Sequence, residues 1–135
     1  MSHFTRVRTA LRDADLLVTA LAEVGFTDVE QHGAPQTLYG YQGDARPERA
    51  EVIVRREHIG KLSNDIGFRR GDDGAFEAVI SEYDGSAYDN AWLTRLTRAY
   101  GHAAALRYAQ EHGYDVQSDV SEANGTRRLV LRRYT

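Results

Sequence analysis

The residues best suited to chemistry are few and scattered. His3 lies near the start of a β-like run and His102 inside a long helical stretch. If a helix packs over a sheet, the two imidazoles approach. With a carboxylate from Glu77, Glu82 or Asp65 they would suit a divalent transition metal, and so a metal-dependent or other small-molecule enzyme. No His-x-x-x-His or His-x-His spacing supports that reading, and such spacing is what makes a metal signal specific. The alternative is a strand-end histidine and a helix histidine bonded to a backbone carbonyl. His32, His58 and His112 fall in loops or at element ends and are expected to face solvent. Asp65, Asp72, Asp73, Asp84 and Asp89 gather at turns, where Asp is favoured for local hydrogen bonding. No Gly-x-Ser-x-Gly, Walker-type loop or dinucleotide fingerprint occurs. With no cysteine, a disulfide scaffold, a thiol nucleophile and a self-held iron–sulfur cluster are excluded. Nothing in the sequence requires an enzyme, and no cofactor is expected.

The arginines are more informative. Lys61 is the one lysine among 17 basic residues. A GC-rich genome accounts for that bias; the functional account is that guanidiniums were kept for bidentate contacts to carboxylate or phosphate. Strand alternation places Leu129, Leu131 and Arg133 on one face of the last strand, with Arg128, Val130, Arg132 and Tyr134 on the other. In the first strand it separates His3, Thr5 and Val7 from Phe4, Arg6 and Arg8. With helices over one face, Arg6, Arg8, Arg56, Arg128 and Arg132, edged by Tyr134, are expected to form a basic docking surface for an anionic partner. The plain reading is a solvated sheet face with Arg–Glu pairs, each worth under about 1 kcal/mol. Nucleic acid is disfavoured, because net charge is −3 and no RRM-type aromatic pattern appears.

Several elements must position these groups. His3–Thr9 reads as a strand. Asp13 is placed to cap a helix in which Leu16, Leu17, Ala20, Leu21 and Val24 recur at helical spacing, closed by Gly25. Phe26–His32 and Thr37–Tyr41 read as two strands around Gly33-Ala34-Pro35. A polar loop over Gln42–Arg49 leads to a strand at Glu51–Arg56. Asp65–Arg70 and Ala75–Tyr83 flank the turn Gly71-Asp72-Asp73-Gly74 as a hairpin. The spacing of Trp92, Leu96, Ala99, Ala103, Leu106 and Ala109 predicts a helix from Asp89 to His112. Gly101 inside it suggests a bend or close packing. Tyr114–Val120 and Thr126–Tyr134 form a last hairpin over Asn124-Gly125.

The two halves rhyme: Val24-Gly25-Phe26 and His112-Gly113-Tyr114 each join a helix end to a strand. The simplest packing is an α+β fold over residues 1–135, one domain with a single antiparallel sheet and both helices on one face. A duplicated β-α-β-β unit would produce it. At 135 residues, 41% hydrophobic and 27% charged, the chain is long and apolar enough for a core without staples. No apolar run approaches the roughly 20 residues of a membrane span, and Met1–Ala10 has no signal-peptide core, so a cytoplasmic protein is expected.

Five short motifs, in order along nearly the whole chain, resemble one family. They are Met1-Ser2-His3-Phe4-Thr5, Gly40-Tyr41-Gln42-Gly43, Asn64-Asp65-Ile66-Gly67-Phe68, Tyr100-Gly101-His102, and the terminal run Asn124–Arg133. The family is the uncharacterised one numbered 1257 among domains of unknown function, which includes the hypothetical chloroplast reading frame 35 proteins. Family members carry aromatics flanking the alanine before the helix histidine; here the run is Arg98-Ala99-Tyr100-Gly101-His102, so that wall is thinner. The loop between Arg69 and Phe76 is also more acidic. The resemblance implies no settled activity. It implies a protein partner, an AAA-type ATPase or a small ferredoxin-like protein, and points to His3 and His102 as one functional surface.

Overall fold

The computed structural model describes residues 3–133. Strand β1 (Phe4–Arg8) runs into helix α1 (Ala14–Glu23), whose first turn is capped by the Asp13 carboxylate accepting from the Leu16 N–H at 3.0 Å. Strands β2 (Val29–Tyr39), β3 (Ala45–Val54), β4 (Ile66–Arg70) and β5 (Phe76–Ser81) follow. Helix α2 (Asn90–Glu111) is capped by Asp89, which accepts from the Trp92 N–H at 3.0 Å. Strands β6 (Tyr114–Ser121) and β7 (Arg127–Arg133) close the chain. The fold is α+β.

The first five strands make one antiparallel sheet in the order β1-β5-β4-β3-β2. Alternation turns Val52, Val54, Ile66, Phe68, Phe76, Ala78 and Ile80 towards the helices. There they meet Leu17, Ala20 and Leu21 of α1 and Trp92, Leu96 and Ala99 of α2, so both helices do cover one face. Leu96 is fully buried, in the phase its spacing predicts. Ala103 and Leu106 differ: they are half-buried and line a hollow against Leu16 and Thr19 of α1, not the sheet.

The other face is covered by the chain itself. A flat strand would carry Tyr39 roughly 30 Å beyond Val29. Instead the Tyr39 N–H donates to Asp65 and the Asp65 N–H to the Tyr39 carbonyl, one residue before β4 begins. The β2–β3 hairpin therefore doubles back. Its bend lies in the register shift between the Gln31–Val52 and Gln36–Ala50 pairs. The fold-back brings Leu38 and Ala50 onto Phe4, Ile53 and Val79, a second buried cluster. Gly67 makes it possible, because a Cβ there would stand 2.6 Å from the Ala50 Cβ and 3.0 Å from Leu38.

Three expectations are corrected. Phe26–His32 and Thr37–Tyr41 belong to one irregular strand, since Gly33-Ala34-Pro35 bends the strand without ending it. Much of the expected Gln42–Arg49 loop is strand: the chain turns over Gly40–Asp44, and β3 starts at Ala45. Pro47, with no N–H to give, falls where the ladder is irregular. Third, the last hairpin does not join the main sheet; β6 and β7 form a sheet of two. Of the 22 residues of α2, none beyond Tyr100 belongs to the main core, so this C-terminal part of the helix overhangs the sheet. After Gly113 the hairpin folds back along that overhang. The halves share their helix–Gly–aromatic junctions, but their hairpins end in different sheets, which leaves a duplication without support. The close packing suggested for Gly101 is absent too, for nothing lies within 4 Å of a Cβ built there.

Candidate functional site

Three polar constellations stand out. The first joins two of the family-like motifs. Asp65, 1% exposed, accepts at one carboxylate oxygen from the Tyr39 N–H (2.8 Å) and Arg55 Nη1 (2.8 Å), and at the other from the Arg56 N–H (2.8 Å). Asn64 Oδ1 accepts from the Tyr41 N–H at 2.9 Å, while its amide donates to Ser81 Oγ. Asp84 accepts from the Asn64 N–H at 2.9 Å and from Ser81 Oγ at 2.8 Å. Arg55 reaches on to Glu30 with two bonds of 2.8 and 2.9 Å and to the Thr37 carbonyl. These bonds to Arg55 hold the Glu30 carboxyl down at about 2, against the opposing effect of its partial burial, with His32 adding to the lowering. The same contacts raise the Arg55 guanidinium. Each of these side chains has at least one partner inside the network. It pins the tip of the β2–β3 hairpin to the sheet.

The second lies where the last hairpin meets the helices. His102 Nε2 is 2.7 Å from Asp119 of β6 and 3.0 Å from Arg127 Nη2 of β7; Arg127 Nη1 bonds Glu23 of α1. A nitrogen 2.7 Å from a carboxylate carries its proton, so His102 donates to Asp119, and Arg127 shares that carboxylate from 3.3 Å. Contact with His102, then with Arg127, lowers the Asp119 carboxyl. His102 is thus neither a free base nor a ligand with an open lone pair on Nε2. His3, exposed at the far edge of the main sheet, gives its carbonyl to the Glu82 N–H. The two histidines share no partner. Among the described residues no group of three or more His, Asp or Glu is placed to hold a metal ion.

The third is basic. Arg6 and Arg8 of β1 do lie on the face away from the helices, opposite Val79 and Glu77 of β5. Arg69 of β4 flanks Glu77 from the other side. The three arginines line a groove of about 540 Å³ together with Glu77, Asp72 and Asp73. None of the three forms an ion pair or side-chain hydrogen bond among the described residues. Alternation along β1 foretold Arg6 and Arg8. Arg69 was missed, although the same alternation along β4 sets it opposite Phe68 and Arg70.

The rest of the expected docking surface is dispersed. Arg56 is in a short 3-10 turn beside Asp65, not on a strand. Arg128 and Arg132 are exposed on β7, in the other sheet, and Arg128 pairs with Glu122 at 3.2 Å. Arg70 lines the groove too, but its guanidinium bonds the Arg12 and Gly74 carbonyls and lies over the Phe76 ring. Tyr134 lies outside the described residues. A single five-arginine face is not formed, because its residues are divided between two sheets and a turn.

Among the described residues no helix is long and apolar enough to cross a membrane. No solved structure matches the chain. Two curated relatives span nearly its whole length. An uncharacterized protein ycf35 from Pyropia yezoensis is 21% identical over 139 residues, covering 99% of this chain and 98% of its own. An uncharacterized protein ycf35 from Guillardia theta is 24% identical over 135 residues, covering 99% and 98%. The profile described as protein of unknown function (DUF1257) matches residues 20–130, which takes in the hairpin clasp, α2 and most of the last hairpin. On that match the chain belongs to the DUF1257 family.

Proposed function

We propose that this is a small accessory protein that docks an anionic partner on the open end of its main sheet. The observation that supports this reading is the groove of Arg6, Arg8 and Arg69, three guanidiniums that form no ion pair among the described residues, although Glu77, Asp72 and Asp73 line the same groove. Arg107, by contrast, is paired with Asp13 at 3.0 Å. Three left unpaired around one concave surface suit a ligand that brings carboxylates or phosphates. Arg128 and Arg132 offer a second, smaller basic strip on the last hairpin. An AAA-type ATPase and a ferredoxin-like protein are the partners to try first, through their acidic segments.

Titration of the full chain with a Glu-rich peptide tests the groove directly. Binding is expected at 0.1 M salt and should weaken at 1 M, where the Debye length falls from about 10 Å to about 3 Å. The double change Arg8→Glu and Arg69→Glu should abolish binding while leaving the melting transition nearly unmoved. Binding that ignores both salt and charge reversal would show that this groove is not the docking site.

A further inference from the structure

We propose that the partner is held as an added β-strand: an extended acidic segment pairing with the free edge of β1. This rests on the docking reading above and adds the geometry of the complex. β1 is an outermost strand of its sheet, bonded only to β5. The Glu82 N–H donates to the His3 carbonyl and the Thr9 N–H to the Phe76 carbonyl. In an antiparallel ladder these fix the bonded positions as 3, 5, 7 and 9. The N–H and C=O groups of Phe4, Arg6 and Arg8 therefore point away from β5, and no described group pairs with them.

Those same residues carry their side chains on the groove face. A strand laid along this edge would meet two things at once: a row of unpaired backbone donors and acceptors, and guanidiniums at every second position. Its own alternate side chains would lie opposite Arg6 and Arg8 on that face, so carboxylates two residues apart are the matching pattern. Arg69, two strands further in, would draw a longer acidic side chain across the groove. The other edge of the sheet offers no such template, because β2 is broken in register and carries Gly33 and Pro35. A second copy of the chain is a poor occupant of the β1 edge. Antiparallel pairing about Arg6 would set Arg6 against Arg6, a like-charge opposition that destabilises a ladder.

Amide hydrogen exchange on the full chain, free and saturated with a peptide of alternating Glu and Val, reads the proposal. The Arg6 and Arg8 amides should be among the fast-exchanging strand amides in the free protein and slow by about tenfold or more on binding, as newly bonded amides do. The same peptide N-methylated at alternate residues cannot complete the ladder and should bind about tenfold more weakly. Peptide binding with no protection at Arg6 and Arg8, or equal binding of the methylated form, overturns strand addition and leaves the anionic groove standing. Binding of inorganic triphosphate but of neither peptide likewise overturns strand addition alone. If triphosphate and both peptides fail together, the docking reading falls as well. Protection that grows with protein concentration in the absence of peptide would instead identify the chain's own copy as the strand, against the proposal.

Discussion

Two hairpins leave this chain through the same kind of junction, a helix end, a glycine at positive φ and an aromatic residue. Gly25 (φ +111°) and Phe26 lead to β2–β3, while Gly113 (φ +73°) and Tyr114 lead to β6–β7. The first folds back onto a sheet. It buries Leu38, Ala50 and Ile53 completely, and its tip is held by Asn64 and Asp65 from inside the core. The second lies against a helix overhang, leaves Val116, Val120 and Val130 exposed, and is held through His102, Asp119, Arg127 and Glu23 near the surface. A two-stranded hairpin is marginal by itself, so what each packs on decides how firmly it is held. Burial and a satisfied buried network should make the first hairpin part of the global unfolding unit. Ion pairs close to water contribute little, and the second should open locally, well below the global unfolding free energy.

Removing one carboxylate from each clasp makes the largest difference. Asp65→Ala strips Arg55 of a buried partner and leaves the Tyr39 and Arg56 N–H groups without acceptors. The expected loss in urea unfolding is about 3–5 kcal/mol, as for other broken buried pairs. Asp119→Ala should cost far less and should speed exchange only in residues 114–133. Comparable losses for the two variants would abolish the distinction between the hairpins.

Next comes packing. Gly67→Ala would drive a methyl group into Ala50 and Leu38, both fully buried on the underside of the first hairpin. Overpacking of this kind costs about 1–3 kcal/mol. The denaturation midpoint should fall, and a variant as stable as the parent would mean that the hairpin tip does not lie on the sheet as described.

The contrast between the hairpins also marks where the sequence could be read. Helix caps at Asp13 and Asp89, the hairpin turns at Gly71–Gly74 and Asn124-Gly125, and the burial of Leu96 all follow from local chemistry or from one periodicity. The fold-back of β2–β3 does not. It depends on Asp65 meeting Tyr39 across 26 positions of chain, and on a glycine whose importance is the space it leaves. The separation of β6–β7 from the main sheet is similarly non-local, for the hairpin packs on the part of α2 that the main core leaves uncovered. Alternation placed Arg6 and Arg8 correctly because one strand suffices for that. It joined them to Arg128 and Arg132 only through the assumption of a single sheet.

A smaller effect of opposite sign tests the helix overhang that carries the second hairpin. Gly101 is exposed at mid-helix, and nothing lies within 4 Å of a Cβ built on it. Gly101→Ala should therefore gain the helix propensity difference, about 0.5–1 kcal/mol, without a clash. A rise in melting temperature is expected, with slower exchange in β6 and β7 if the hairpin is steadied by its helix. A destabilised variant would indicate contacts at this position that the described packing lacks.

The smallest expected effect separates the hairpins by pH. Arg55 holds Glu30 of the first hairpin in two short bonds, and its carboxyl is down at about 2. A carboxylate whose folded value is depressed adds stability that is complete above its unfolded value, near 4.5, and is lost as pH falls through the folded one. The loss should therefore develop between pH about 4.5 and about 2. Glu30 is 41% exposed, so solvent screening reduces the contribution to about 1 kcal/mol or less. Glu30→Gln removes this titration, and its stability curve should converge on that of the parent as pH approaches about 2. The two curves should be furthest apart above about pH 5. A parent and variant that remain parallel from about pH 7 to about pH 2 would show that Glu30 is not ionised against Arg55, and the outer half of the first clasp would reduce to packing alone.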